Sequence, residues 1–442
     1  MSTPSSPLEL HPDRLLPADP ALRGVARRLY ESVRDLPIIS PHGHVPAEWI
    51  AQDTPFRDPT SLLITPDHYI TRMLHAHGVS LAELGVGRGP LDEAEARQAF
   101  RILCSHWSAY RGTPVRYWLE EELAGIFGVT VRPSAETADE IYDQIAARLA
   151  ESDFRPRALM DSFGIEMLAT TDDPCADLAQ HAQLAADSGF HPRVVPTFRP
   201  DHYLDPQVPD WNARVDRLGE VAGTDVSDYA GFIAALEERR RYFIAHGAVS
   251  ADHGVIDAVT VILPESEAVR IYAAARAGQA TEAEATALRR HLLTEMARMS
   301  CEDGLVMTIH PGVRRNHHTP TFETYGPDVG CDIPIAVEFT DSLRPLLEAY
   351  GTHPNLHLVL FTIDETTYSR ELAPLAGFYP SVYVGVPWWF IDAPDAIRRF
   401  RAAVTETAGF SRTSGFIDDT RAFCSIPARH DMSRRLDAGY LA

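Results

Sequence analysis

The sequence predicts an α/β fold, a (β/α)8 barrel with a helical insertion after its first strand, and three observations predict it. Eight short apolar runs lie at 36–45, 166–170, 193–198, 248–252, 305–310, 356–363, 382–386 and 413–417. From residue 160 onward these runs alternate with helical patterning, the signature of βα units feeding a parallel sheet. Polar residues able to do chemistry follow nearly every run, and in such barrels the chemistry sits at the C-terminal ends of the strands.

Residues 8–35 carry Leu22, Val25, Ala26, Leu29 and Val33 at helical spacing and lead into the first run, Leu36-Pro-Ile-Ile-Ser-Pro-His-Gly-His-Val45. On a strand, residues i and i+2 point the same way, so His42 and His44 can chelate one ion. By itself the pair is weak: with 19 histidines in 442 residues, roughly one His-x-His is expected by chance. A second pair, His75 and His77, falls in a stretch that reads as a helix closed by Gly78. Two rings at that spacing point about 200° apart around a helix and cannot share a metal.

Residues 46–155 show no clear strand, while 94–110 and 137–150 have helical periodicity. The expected organisation is therefore an N-terminal helix and first strand over 1–45, a helical lid or side domain over 46–155, and the remaining βα units over 156–442. In that last part the best-marked helix opens with the capping box Thr281-x-x-Glu284, continues through Leu288, Leu292, Met296 and Met299, and stops at Asp303-Gly304.

The residues following the runs are His42 and His44; Thr171-Asp-Asp-Pro174; Arg199; Asp252 and His253; His310; Asp364; Trp388 and Trp389; and Asp419 and Arg421. Loops are polar in any protein, which accounts for Thr171 to Asp173 and Asp364. It fits less well with His310, a lone histidine ending an apolar strand.

Composition narrows the chemistry. A net charge of −22 argues against nucleic acid or an anionic membrane as partner, so an anionic substrate needs a local group of arginines. All 40 basic residues are arginine. Without lysine there is no Schiff base, no pyridoxal-phosphate enzyme, no P-loop and no carbamylated-lysine pair of metals. Gly85-Val-Gly-Arg-Gly89 lacks the spacing and preceding strand of a dinucleotide site, so NAD is not expected, and no Gly-x-Ser-x-Gly elbow is present. Five scattered cysteines suggest reduced thiols. No apolar run is long enough to span a bilayer and the polar start lacks signal-peptide features, so a cytoplasmic location is expected.

Two histidines on strand one, one on strand five and an aspartate after strand eight suit a single divalent ion, zinc or similar, with positions open for water or substrate. Around this constellation the sequence carries Leu36-Pro-Ile-Ile-x-x-His-x-His44, Asp67-His-Tyr69, Thr170-Thr-Asp-Asp-Pro174, Pro196-Thr-Phe-Arg-Pro-Asp201, Asp252-His-Gly254, His310 with Arg315-Asn316, Gly326-Pro-Asp328, Trp388-Trp-Phe390, Asp419-Thr-Arg421 and Arg429-His430. In these stretches, and in their order, the chain resembles the uronate isomerase (glucuronate isomerase) family of the amidohydrolase superfamily.

The resemblance implies a TIM-type barrel that interconverts aldo- and keto-hexuronates, D-glucuronate with D-fructuronate and D-galacturonate with D-tagaturonate. It implies that His42, His44 and Asp419 face the metal, with His310 as a further ligand or a substrate contact, and that His68, Tyr69, Arg199, Trp388 and Arg421 line the sugar. Moving a proton from C2 to C1 through an enediol needs a base, an acid and a partner for the developing oxyanion. Tyr69, Asp419, Arg421 and His68 are the catalytic candidates. Arg199 or Arg421 would grip the carboxylate by a two-point hydrogen bond. The partner is a hexuronate, and a homo-oligomer is expected.

The chain departs from the family where Asp-x-His-Cys-His-Leu is usual and Ser40-Pro-His-Gly-His-Val45 stands instead. Loss of the acidic residue alters the expected support of the ligands, and an end soon after Arg421, where relatives continue with a helical tail, puts barrel closure in question. Structural roles compete at some positions: His253 as a core histidine, His317 and His318 as surface, Trp388 to Phe390 as packing, Arg421 as a helix cap. Two other functions fit the same barrel: a mononuclear metal-dependent hydrolase or decarboxylase, and a non-catalytic relative, against which the intact His42, His44, His310 and Asp419 argue.

Overall fold

Prolines set the length of the first strand. In the computed structural model, which describes residues 7–442, β1 spans only Ile38–Ser40 because Pro37 and Pro41 bracket it and neither has an N–H to give the ladder. It pairs in parallel with β2 (Ile165–Ala169), and β2 with β3 (Arg193–Val195). A second parallel sheet contains β4 (Ser250–His253) and β5 (Val306–Ile309), which are followed by an antiparallel hairpin of β6 (Val313–Arg314) and β7 (Ile333–Pro334). Next come β8 (Leu358–Leu360) and β9 (Val382–Val384), which complete that sheet in the order β4-β5-β8-β9.

Phe198 joins the two sheets by pairing with Asp172 on one side and Ala251 on the other. On the far edge Thr413 pairs with Val384, and the carbonyl of Thr420 accepts a hydrogen bond from the His44 N–H at 2.9 Å. Every residue of β4 and β8 is buried, as expected of parallel strands covered on both faces.

The expected eighth strand, 413–417, is reduced to the single pairing at Thr413. Gly415 lies at φ +74°, and the Ser414 hydroxyl donates to its carbonyl at 2.8 Å, which turns the chain away from the ladder. The hairpin of β6 and β7 was not signalled by the sequence.

Between Pro41 and Gly164 the chain is helical, with no strand. The helix His68–Ala76 begins at Asp67, whose carboxylate accepts the Tyr69 N–H at 2.8 Å, and this cap fixes where His68 and Tyr69 stand. His75 and His77 each bond a backbone carbonyl, of Val79 and Met73, and Gly78 follows at φ +92°. The capping box of the helix Glu282–Asp303 is formed at both arms, and Gly304 ends it at φ +79°.

At the start of the chain the helix runs over Pro20–Val33, enclosing the apolar positions Leu22 to Val33 but beginning well inside the expected 8–35 stretch, because Asp19 caps it and Pro20 opens it. It packs on the last helix, Ile426–Leu441. Arg434 of that helix donates to the carbonyls of Arg34 and Leu36 at 2.7 and 2.8 Å, so the terminal helix braces the approach to β1.

Candidate active site

A cavity of about 710 Å³ opens at the C-terminal ends of the strands. His42, His44, His68, Tyr69, Arg199, His310, Trp388, Asp419 and Arg421 all line it, so the nine residues expected to hold the metal, bind the sugar or move protons reach one chamber. Its size suits a small ligand.

His42, His310 and Asp419 each present a donor atom within 4.8 Å of the other two. His42 Nε2 lies 3.4 Å from Asp419 Oδ1, and His44 Nε2 lies 3.0 Å from the same oxygen. His44 falls outside the tight group of three, its ring meeting that of His42 edge to face at 5.3 Å. His310 stacks on His42 at 5.0 Å and on Phe361 at 4.0 Å, with Trp388 edge-on at 4.7 Å.

The residue that organises His310 is Asp252, which the sequence placed at a strand end without a role. It is 0% exposed. Its Oδ1 accepts from the Thr308 hydroxyl at 2.5 Å and from His310 Nδ1 at 2.6 Å, and Arg199 Nε lies 3.4 Å from Oδ2. Holding the Nδ1 proton fixes the tautomer and leaves Nε2 of His310 as a bare donor, and among the described residues that buried nitrogen has no hydrogen-bond partner. Two imidazoles and a carboxylate, with unpaired buried atoms facing one another, fit a divalent ion.

The charges follow from burial and neighbours. Burial opposes ionisation of Asp419, yet the His42 and His44 rings hold its carboxyl well below the usual range. Burial likewise disfavours an imidazolium at His42, but Asp252 and Asp419 outweigh it and raise the pKa. His68 is pushed down to about 3 by burial and by the charge of Arg421, so its ring is neutral. Burial lifts the Tyr69 phenol well above its ordinary value against the opposing charge of Arg429, which keeps the hydroxyl protonated.

Arg199 is already engaged, with Nε 2.7 Å from Asp201 Oδ2, and its guanidinium leaves no room for a Cβ on Gly254, which would sit 2.5 Å from the Arg199 nitrogen. Among the described residues Arg421 caps no helix. Its ion pair is a long one, 3.6 Å to Asp328, a residue of the β6–β7 hairpin that Arg315 also approaches at 3.7 Å. The hairpin residues Arg315 and Asp328 line the cavity and had been quoted only as parts of motifs.

Four non-glycine residues around the cavity, Asn316, Asp328, Trp389 and Asp419, have φ between +41° and +60°. Each such conformation costs on the order of 1–3 kcal/mol and persists where the surroundings over-determine it, typically at functional sites.

Other candidates fall elsewhere. His253 is a core residue whose Nδ1 bonds the Thr308 carbonyl at 2.9 Å, and His317 and His318 are exposed. Ser40, in place of the usual acid, is buried with no hydrogen-bond partner among the described residues, and Nδ1 of His42 is likewise unpaired. A Cβ on Gly43 would lie 3.5 Å from the Ala169 and Thr420 carbonyls, an ordinary contact, so crowding does not dictate this glycine.

The fold and this arrangement define a (β/α)8-barrel enzyme with a mixed histidine and carboxylate centre. The model of the glucuronate isomerase family matches residues 21–442, and the chain belongs to that family. A uronate isomerase of Cutibacterium acnes is 60% identical over 442 residues, covering 100% of this chain and 93% of its own. The crystal structure of glucuronate isomerase from Caulobacter crescentus superposes with a TM-score of 0.96 at 48% identity, over 98% of this chain and 91% of that one. That of uronate isomerase from Thermotoga maritima gives 0.91 at 28% identity, over 98% and 93%. These neighbours are TIM-type barrels.

Gly385 offers a test of the wall behind His310. A Cβ there would sit 2.5 Å from the ring of Phe361, the ring stacked on His310. Gly385→Ala is expected to cost about 1–3 kcal/mol in urea unfolding by overpacking and to weaken metal retention, measured by elemental analysis after dialysis; unchanged values would show that Phe361 moves freely.

Proposed function

We propose that this protein is a uronate isomerase, interconverting D-glucuronate with D-fructuronate and D-galacturonate with D-tagaturonate at a single-metal site. The observation that carries the reading is the meeting of the His42, His310 and Asp419 donor atoms in one cavity with Tyr69 and Arg421. In this reading His42, His310 and Asp419, joined by His44, hold one ion, and the nitrogen-rich set favours zinc. When bound, such an ion polarises the oxygens at C1 and C2 of the sugar. The helical segment 46–155 is a side domain that brings His68 and Tyr69 to the barrel mouth.

Arg421, held among the described residues only by its long ion pair to Asp328, grips the uronate carboxylate, and Arg199 and the neutral His68 add hydrogen bonds. Trp388 walls the sugar on the His310 side. Asp419, kept ionised, takes the O1 proton as the pyranose opens, while Tyr69 gives its phenolic proton to the ring oxygen. The resulting phenolate, strongly basic in its buried setting, removes the C2 proton and returns it to C1. Asp419 gives back to O1 the proton it took as the enediol forms, and takes the O2 proton as the enediol collapses to the ketose. On ring closure Asp419 returns that proton to O2 while Tyr69 regains one from the closing hydroxyl, so both groups recover their starting states.

Incubating the metal-loaded protein with each uronate and following ketose formation tests the reading; metal binding without isomerisation would point instead to a hydrolase or decarboxylase on the same barrel. Tyr69→Phe is expected to lower turnover by about 10²–10⁴-fold, the usual contribution of acid–base catalysis, at unchanged metal content. Full turnover would remove Tyr69 from the scheme.

A raised His42 pKa makes protons compete with the ion. Metal affinity is therefore expected to fall as pH drops, beginning above the ordinary histidine value of 6.5. Titration with a chelator at several pH values measures it, and a pH-independent affinity would contradict the ligand set.

A further inference from the structure

Behind the cavity lies a buried group of charges that the reaction scheme does not use. At its centre is Arg429, in the helix Ile426–Leu441, with 0% exposure. Its Nε donates to the Ser425 hydroxyl at 2.9 Å, and one terminal nitrogen donates to Asp392 Oδ2 at 2.9 Å and to the Asp418 carbonyl at 3.4 Å. The guanidinium carbon stands 3.6 Å from the centre of the Trp118 ring and 4.9 Å from that of Tyr69, and those two rings meet at right angles 5.5 Å apart.

Three of these contacts each reach a different part of the site. Tyr69 comes from the helix that Asp67 caps. Asp418 directly precedes Asp419, which sits at φ +41°. Asp392 closes the turn that starts at Trp389, at φ +53°, through its N–H to the Trp389 carbonyl at 3.2 Å. Strained turns keep their shape only where something over-determines them, and here one planar cation touches the flank of both. For packing alone a buried ion is a poor choice, since apolar replacements are often neutral or stabilising.

We infer that Arg429 is a positioning residue for the reaction: its guanidinium fixes the Tyr69 ring against the turn that carries Asp419, so that phenol and carboxylate meet the same sugar. This rests on the reading of Tyr69 and Asp419 as the proton-carrying pair. The fork geometry is essential to it, because a lysine ammonium is a point charge and cannot stack on two rings while bonding a carboxylate, a hydroxyl and a carbonyl.

The experiment uses the metal-loaded, full-length enzyme with Arg429→Lys and Arg429→Met, each alone and combined with Tyr69→Phe, assayed on D-glucuronate and expressed per folded, metal-containing site. Both single variants are expected to lose about 10²-fold in kcat, the effect of a small misplacement of reacting groups, with KM little changed. In the Tyr69→Phe background the same substitutions should cost far less, because the group being positioned is gone. If Arg429→Met does not fold, Arg429→Lys, which keeps the charge, carries the test.

Unchanged kcat in Arg429→Lys, or an equal loss with and without Tyr69, overturns the proposal and leaves Arg429 a structural residue. The reading of Tyr69 is judged separately, by Tyr69→Phe alone. Impaired turnover there with additive Arg429 losses sinks only the positioning role, while full turnover sinks both.

Discussion

The site depends on one buried carboxylate, that of Asp252. A charge in the interior is tolerated only when paired and hydrogen-bonded. Here the Thr308 hydroxyl, His310 Nδ1 and Arg199 Nε all converge on it, and His42 Nε2 lies 3.9 Å away. Burial opposes the charge, but His310, His42 and Arg199 together hold the carboxyl well below its usual range. Three consequences follow: His310 is locked in the tautomer that offers Nε2, Arg199 is drawn to the chamber floor, and His42 is biased toward the same centre. The parallel register that sets Asp252 opposite Thr308 is what makes this convergence possible.

Around that centre the chain uses unlike materials for unlike tasks. The segments just past the strand ends supply His42, His44 and His310. The helical segment after β1 supplies His68 and Tyr69 from a capped helix start, and the β6–β7 hairpin supplies Arg315 and Asp328 from a loop. Positive charge is scarce in a chain of net charge −22, and Arg199, Arg315 and Arg421 supply it within one cavity. Each is tied to at least one carboxylate, which keeps the guanidinium in place before an anionic ligand arrives.

Much of this was legible in the sequence, for identifiable reasons. His42, His310 and Asp419 follow apolar runs, and helical spacing set aside His75 and His77; the strand expected to carry His42 and His44 ends at Ser40, so strand alternation is not what brings their rings together. The Thr281 capping box and Gly304 marked a helix that forms as expected. Asp252 was visible only as a polar strand end and as part of a motif, since its role comes from the residue opposite on the next strand and not from its own neighbours. The hairpin strands are two residues each, too short for any periodicity, and the run at 413–417 looked apolar enough for a strand while Ser414 and Gly415 turn it aside. Arg429 gave no signal beyond its place in a motif, because a buried cation reads in sequence like any polar helix residue.

The account stands or falls on whether the convergence at Asp252, His310, His42 and Asp419 is a single-metal centre facing the sugar. Anomalous diffraction at the zinc edge, from crystals grown with zinc and a hexuronate-like sugar acid, tests this most directly. The account predicts one peak among His42, His310 and Asp419, with the ligand's carboxylate at Arg421. Two peaks, a peak elsewhere, or a ligand bound with its carboxylate away from the arginines would contradict it.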